Sequence, residues 1–166
     1  MELVLGGAAE AAVRADWERL RRAGLPSQGR HTDVANRPHV TLALTESVDD
    51  LVHDRLAAIA AGLPLPLTVG APIVFGHRRF ILGRLIVPER GLLGLQQRAW
   101  GALDEPVDRH DTFRLGGWTP HVTLGRRFSA EQVGAALTAL GPVRPVTGPG
   151  ARVRLWDIGA HRERWV

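Results

Sequence analysis

The pentapeptide Pro-His-Val-Thr-Leu stands at positions 38–42 and again at 120–124 of this 166-residue chain. Some pentamer repeats by chance in a chain of this size roughly a few per cent of the time, so the surroundings decide what the repeat means. They repeat too. Leu3-Val4-Leu5 reads as a short apolar strand, and 8–23 as a helix with Val13, Trp17 and Leu20 on one face, stopped by Gly24 and Pro26. A polar loop over 27–37 leads into a strand over 39–44. Ser47 then caps a helix to about Ala61, with Leu51, Val52, Leu56 and Ile59 as its apolar stripe; Gly62 and Pro64 end it, and a strand follows over 67–75.

The second round keeps this order. Leu85-Ile86-Val87 is a short strand, and 88–103 a helix with Pro88 in its first turn and Leu92, Leu95, Ala99 and Leu103 inward. A polar loop over 104–119 precedes a strand over 121–125. Ser129-Ala130-Glu131-Gln132 has the form of a capping box, Gly141 and Pro142 end that helix, and 152–158 is a strand. The concordance predicts an internal duplication and an α+β fold. The expectation is a single bilobal domain over 1–166. Its β-α-β-α-β lobes, roughly 1–78 and 79–166, carry mainly antiparallel sheets around a central cleft. Residues 161–166 add a short final strand.

Side chains alternate along a strand. His39 and Thr41 therefore share one face, and Val40 and Leu42 the other; the same holds for His121 and Thr123. With Val and Leu in the core, the opposite face presents an imidazole beside a hydroxyl, twice. Two such pairs in one groove suit in-line displacement at phosphorus. One ring, neutral, takes a proton, and the other, charged, gives one. The threonine hydroxyls donate to non-bridging oxygens. The sequence does not say which histidine does which.

Composition removes other chemistries. The chain has no cysteine, which excludes disulfides, thiolate metal sites and a cysteine nucleophile. It has no lysine for a phosphate-binding Walker loop and no Gly-x-Ser-x-Gly elbow. All 21 basic side chains are arginine, a phosphate-gripping residue, though GC-rich coding also produces this bias. The opening MELVLGG is a poor signal peptide, and no apolar run reaches the roughly 20 residues that span a bilayer. A cytoplasmic monomer without membrane attachment is expected.

Twin His-Val-Thr-Leu strands in a duplicated α+β chain resemble the two-histidine phosphoesterase superfamily, which includes RNA 2′,3′-cyclic phosphodiesterases and enzymes named 2′-5′ RNA ligases. The resemblance runs from Leu3 to about Ile158. It implies His39 and His121 as the catalytic pair and Thr41 and Thr123 as phosphate contacts. It implies no cofactor and no metal, and as partners RNA ends or nucleotide cyclic phosphates. Bacterial members often carry an arginine five residues past the second histidine, here Arg126. Alternation alone puts Arg126 on the wrong face, unless the strand ends or bulges at Gly125. Arg37 shares parity with His39 and is a further candidate phosphate contact. Trp118 is the candidate for stacking on a base, whereas Phe75 and Phe80 fall in apolar strands and are expected in the core.

The resulting expectation is a metal-independent phosphodiesterase that hydrolyses a 2′,3′-cyclic phosphate at an RNA end or on a related small molecule. Three other readings stay open: RNA end-joining by the reverse reaction, a non-catalytic RNA- or nucleotide-binding module, and a metal-dependent hydrolase using His31, Asp33 and His39. Arg78-Arg79 and Arg126-Arg127 are candidates for an RNA-facing rim. His31, His53, His77, His110 and His161 read as solvated, and Ser27 as a turn or cap residue.

Overall fold

The computed structural model describes residues 1–46, 50–103, 106–107, 112–157, 160 and 162–166, the side chains of 50–54 excepted. The expected cap Ser47, along with His110, Ile158 and His161, lies outside the described residues, as do the side chains of Leu51, Val52 and His53. The elements run β1 (Glu2–Leu5), α1 (Gly7–Arg22), β2 (His39–Thr41), α2 (Asp50–Ala60), β3 (Leu65–Phe75), β4 (Phe80–Ile86), α3 (Arg90–Gly101), β5 (His121–Phe128), α4 (Ala130–Leu140), β6 (Val146–Asp157) and β7 (Arg162–Trp165).

All strands join one seven-stranded sheet in the order β2-β1-β6-β3-β4-β5, with β7 on β6. Every pairing is antiparallel. Exchanging β1 with β4, β2 with β5 and β3 with β6 maps the six-strand order onto itself. The histidine strands β2 and β5 hold the two ends of that order, yet they contact each other, so the sheet curls until its ends meet.

Leucine and valine at alternate positions explain the core. Leu3, Val40, Leu42, Leu67, Leu82, Val122, Leu124 and Val153 are fully or almost fully buried on the helix-covered face. Each contributes roughly 1.5–3 kcal/mol of transfer free energy. Helix α1 adds Val13, Trp17 and Leu20, and α3 adds Leu92, Leu95 and Ala99. The capping box at Ser129 forms as its sequence predicts, with both reciprocal hydrogen bonds present. Ser27 closes its turn, accepting from Gly29 N–H and donating to the Trp17 carbonyl at 2.6 Å.

Strand β6 starts at Val146 rather than Arg152, and four further boundaries differ from expectation. Strand β2 ends at Thr41, because beyond Leu42 the chain leaves β1. Strand β4 starts at Phe80 rather than Leu85, since Gly83 and Arg84 interrupt its apolar pattern without interrupting its ladder. Strand β5 runs on to Phe128. Helix α3 begins at Arg90 with Glu89 as N-cap, so Pro88 lies ahead of it: the first helical bond runs from Leu93 N–H to the Glu89 carbonyl.

Candidate active site

Registers place the two histidines on one face. Val4 pairs with His39 and Glu2 with Thr41, while Leu85 pairs with His121 and Gly83 with Thr123. These residues lie on the side of the sheet opposite the Leu/Val core. His39, Thr41, His121 and Thr123 are half-buried there, whereas Val40 and Val122 between them are buried. Gly83 keeps the surface beside His121 open: a Cβ there would sit 2.8 Å from the Val122 carbonyl oxygen and 3.6 Å from the His121 ring.

The rings are anchored alike. His39 Nδ1 is 2.7 Å from the Arg37 carbonyl, and His121 Nδ1 is 2.8 Å from the Thr119 carbonyl, each two residues upstream. A carbonyl only accepts, so Nδ1–H donates in both and Nε2 is the nitrogen left for other partners.

Their Nε2 surroundings differ. His39 Nε2 lies 3.2 Å from Glu2 Oε1. The other Glu2 oxygen accepts from Arg154 Nε at 2.8 Å, and Arg154 also donates to Glu163 at 2.9 Å and to the Ala35 carbonyl at 2.7 Å. Two carboxylates thus share one guanidinium. His121 instead lies against Phe75, with ring centroids 4.5 Å apart, and Phe113, at 6.1 Å. Burial pushes both imidazoles below the usual histidine range. Glu2 opposes that shift at His39; at His121 the bond to Thr119 opposes it, while the charges of Arg126 and His39 add to it.

Arg126 reaches this face through a bulge. Thr123 pairs with Gly83 and Gly125 with Leu82, which leaves Leu124 as the extra residue. Leu124 and Gly125 both turn to the core, and Arg126, opposite Ile81, shares the face of His121. Gly125 is required where it stands, because a Cβ would lie 2.5 Å from the Pro26 carbonyl oxygen. Arg127 then adopts φ 65°, and Phe128 returns to the core. Arg126 is exposed, and its charge acts on both imidazoles.

The aromatic expectations change places. Phe75, expected in the core, faces His121, since it pairs with Ile81 and Ile81 pairs with Arg126. Trp118, the expected base-stacking residue, packs against the core and donates its indole N–H to the Thr41 carbonyl at 3.1 Å. Trp17 on α1 makes the reciprocal bond to the Thr123 carbonyl at 3.0 Å. Each threonine backbone is thus held by an indole from the other half of the chain. Phe80 packs against the core as expected.

Glu2, Phe75, Phe113 and the tryptophan braces escaped the sequence reading. Only Glu2 leaves a signal, as the one carboxylate inside an apolar strand. Arg37 lies just ahead of β2. Asp33 accepts from Ala35 N–H within its own turn, and His31 is exposed; among the described residues no three His, Asp or Glu side chains form a set that could hold a metal ion. Arg78, Arg79 and His77 are exposed. Among the described residues no helix is long and apolar enough to cross a membrane.

A family model described as the 2′-5′ RNA ligase superfamily matches residues 9–162. No curated protein matches the chain at a significant level.

Proposed function

The chain belongs to the 2′-5′ RNA ligase superfamily, and we propose that it is a metal-independent phosphodiesterase opening a 2′,3′-cyclic phosphate at an RNA end or on a related small molecule. We read the exchange symmetry of the sheet as two lobes of one duplicated domain, with the substrate cleft where β2 meets β5. The observation that carries the reading is the pair of identically anchored imidazoles on one face whose Nε2 environments differ.

Burial lowers the proton affinity of both rings, and only His39 has a carboxylate opposing that shift; on this ground we read His39 as the general acid. Its 3.2 Å separation from Glu2 is long for a charge-assisted bond, typically about 2.7–2.9 Å, so the proton is not tied down. His121, among aromatic rings and near Arg126, is the neutral general base. A water oxygen bonds to phosphorus while its proton moves to His121 Nε2. The bond from phosphorus to the ribose 3′-oxygen breaks, and that oxygen takes the proton from His39 Nε2. The product is a 2′-phosphate. Thr41, Thr123 and Arg126 donate to the non-bridging oxygens, where charge develops. Trp118 braces Thr41 rather than stacking on a base.

Turnover of a panel of nucleoside cyclic phosphates in excess chelator, with products identified by phosphorus NMR, tests the reading. A 2′-phosphate product at an undiminished rate is expected; no turnover, or turnover abolished by chelator, overturns it. The family description also favours end-joining, in which a 5′-hydroxyl replaces water at the same groups. Ligation of paired RNA half-molecules exceeding hydrolysis would make that the main activity.

A further inference from the structure

Beside His39 lies a cavity of about 270 Å³ lined by Val4, Arg37, Arg152 and Trp165, with Glu10 at its wall. Val4 is the cross-strand partner of both His39 and Arg152, so the cavity adjoins the histidine on the same face. Two residues along an extended chain advance roughly 6.5 Å, which sets Arg37 one side-chain step from His39.

The arginines here are unlike Arg84 and Arg154, which are buried in the same sheet. Arg84 is buried with Asp16 at 2.7 Å and donates to three carbonyls. Arg154 is held by Glu2 and Glu163. Arg37 and Arg152, among the described residues, have neither a carboxylate nor a hydrogen bond to the guanidinium. Arg37 Nε is shut away from solvent without an acceptor. What holds the pair is the Trp165 indole, with the Arg152 guanidinium 4.3 Å and that of Arg37 5.8 Å from its centroid. A guanidinium stacked on an aromatic face keeps its in-plane N–H donors free for an anion. Two cations on one indole repel until an anion bridges them. Glu10, the one carboxylate of the lining, already accepts from Arg14 at 2.8 Å, and it confines an anion to the arginine end.

We infer that Arg37, Arg152 and Trp165 form a subsite for a second phosphoryl group of the substrate, the one on the 5′ side of the nucleotide whose cyclic phosphate lies between the histidines. This rests on the proposed phosphodiesterase reading and narrows its substrates: a cyclic phosphate with a further phosphate on its 5′ side is taken in preference to a bare nucleoside cyclic phosphate. The cavity is a little smaller than sites for whole small molecules, roughly 300–1,000 Å³, which suits a phosphate and its sugar rather than a base.

Calorimetric binding of adenosine 2′-phosphate and adenosine 2′,5′-bisphosphate is the test. A charge-assisted pair of contacts predicts about 10–100-fold tighter binding of the bisphosphate. In Arg152→Gln, whose wild-type side chain is exposed, that ratio falls toward one; Arg37→Gln is the second variant. Equal affinities in the wild type, or a ratio that Arg152→Gln leaves intact, overturn the inference. Turnover separates it from the reading beneath it: bisphosphate preference without turnover of any cyclic phosphate sinks the phosphodiesterase and spares the subsite. Among substrates, a 5′-phosphorylated nucleoside cyclic phosphate and a dinucleotide with a cyclic end tell a terminal phosphate from a strand phosphodiester. A gain for either over the 5′-hydroxyl nucleoside supports the subsite, and a gain for neither overturns it.

Discussion

Strands β2 and β5 each open on the same His-Val-Thr and anchor the same ring nitrogen in the same way, yet one histidine faces a carboxylate and the other aromatic rings. The source of the difference is not in the pentapeptides. It comes from the neighbouring strands: β1 puts Glu2 opposite Thr41, while β4 puts Gly83 opposite Thr123. A repeated motif thus supplies two equivalent imidazoles, and unlike neighbours give them unlike surroundings.

The largest test breaks the pair. His39→Ala and His121→Ala should each lower kcat/KM on a cyclic phosphate by roughly 10²–10⁴. The double variant should be little worse than either single one, since the two rings act as a unit. Near wild-type turnover in either single variant removes the acid–base pair. Thr41→Ala and Thr123→Ala should each cost about 10–100-fold, the worth of a hydrogen bond to a charged group. A loss as large as that of the histidines would mean the threonines do more than bind.

Glu2→Gln sharpens the asymmetry. Removing the carboxylate lowers the affinity of His39 for its proton. If His39 is the acid, the alkaline limb of the kcat/KM–pH profile moves to lower pH. Movement of the acid limb instead would exchange the two roles. Circular dichroism accompanies this test, because Arg154 loses one of its two carboxylates.

The smallest effects concern stability. Trp17→Phe and Trp118→Phe each delete one indole bond and should cost about 1 kcal/mol in denaturant unfolding, by similar amounts. Both histidines hold folded pKa values below their unfolded ones, so the unfolded chain binds more protons. Stability should therefore be full above about pH 6.5 and fall as pH drops toward the folded values. His121→Asn should flatten that dependence between pH 8 and 5.5.

Much of this was legible in the sequence because its signals are local. The Val/Leu alternation around each histidine assigns core and exposed faces, and Ser129 with Gln132 marks a helix start. The rest depends on contacts between distant segments. Arg84 breaks the apolar pattern of β4, yet it is buried, because Asp16 and the carbonyls of Val69, Gly70 and Arg144 converge on it. The bulge at Leu124 adds one residue to β5 without any mark beyond Gly125, and it moves Arg126 to the other face. Phe75 meets the histidine face because register, not hydrophobicity, decides which side of a sheet an aromatic ring meets, whereas Trp118 lies ahead of β5 and packs against the core.

The crossed indole bonds make the halves of the chain interdependent. Trp17 holds the strand of His121, and Trp118 holds the strand of His39. A half expressed alone would lack both that indole and the strand that joins its own strands, since β6 separates β1 from β3 and β3 separates β6 from β4. Mixing separately made halves should therefore restore turnover only as they reassemble, with a rate second order in fragment concentration. Descendants of such a chain can diversify one half only as far as its tryptophan still reaches the other.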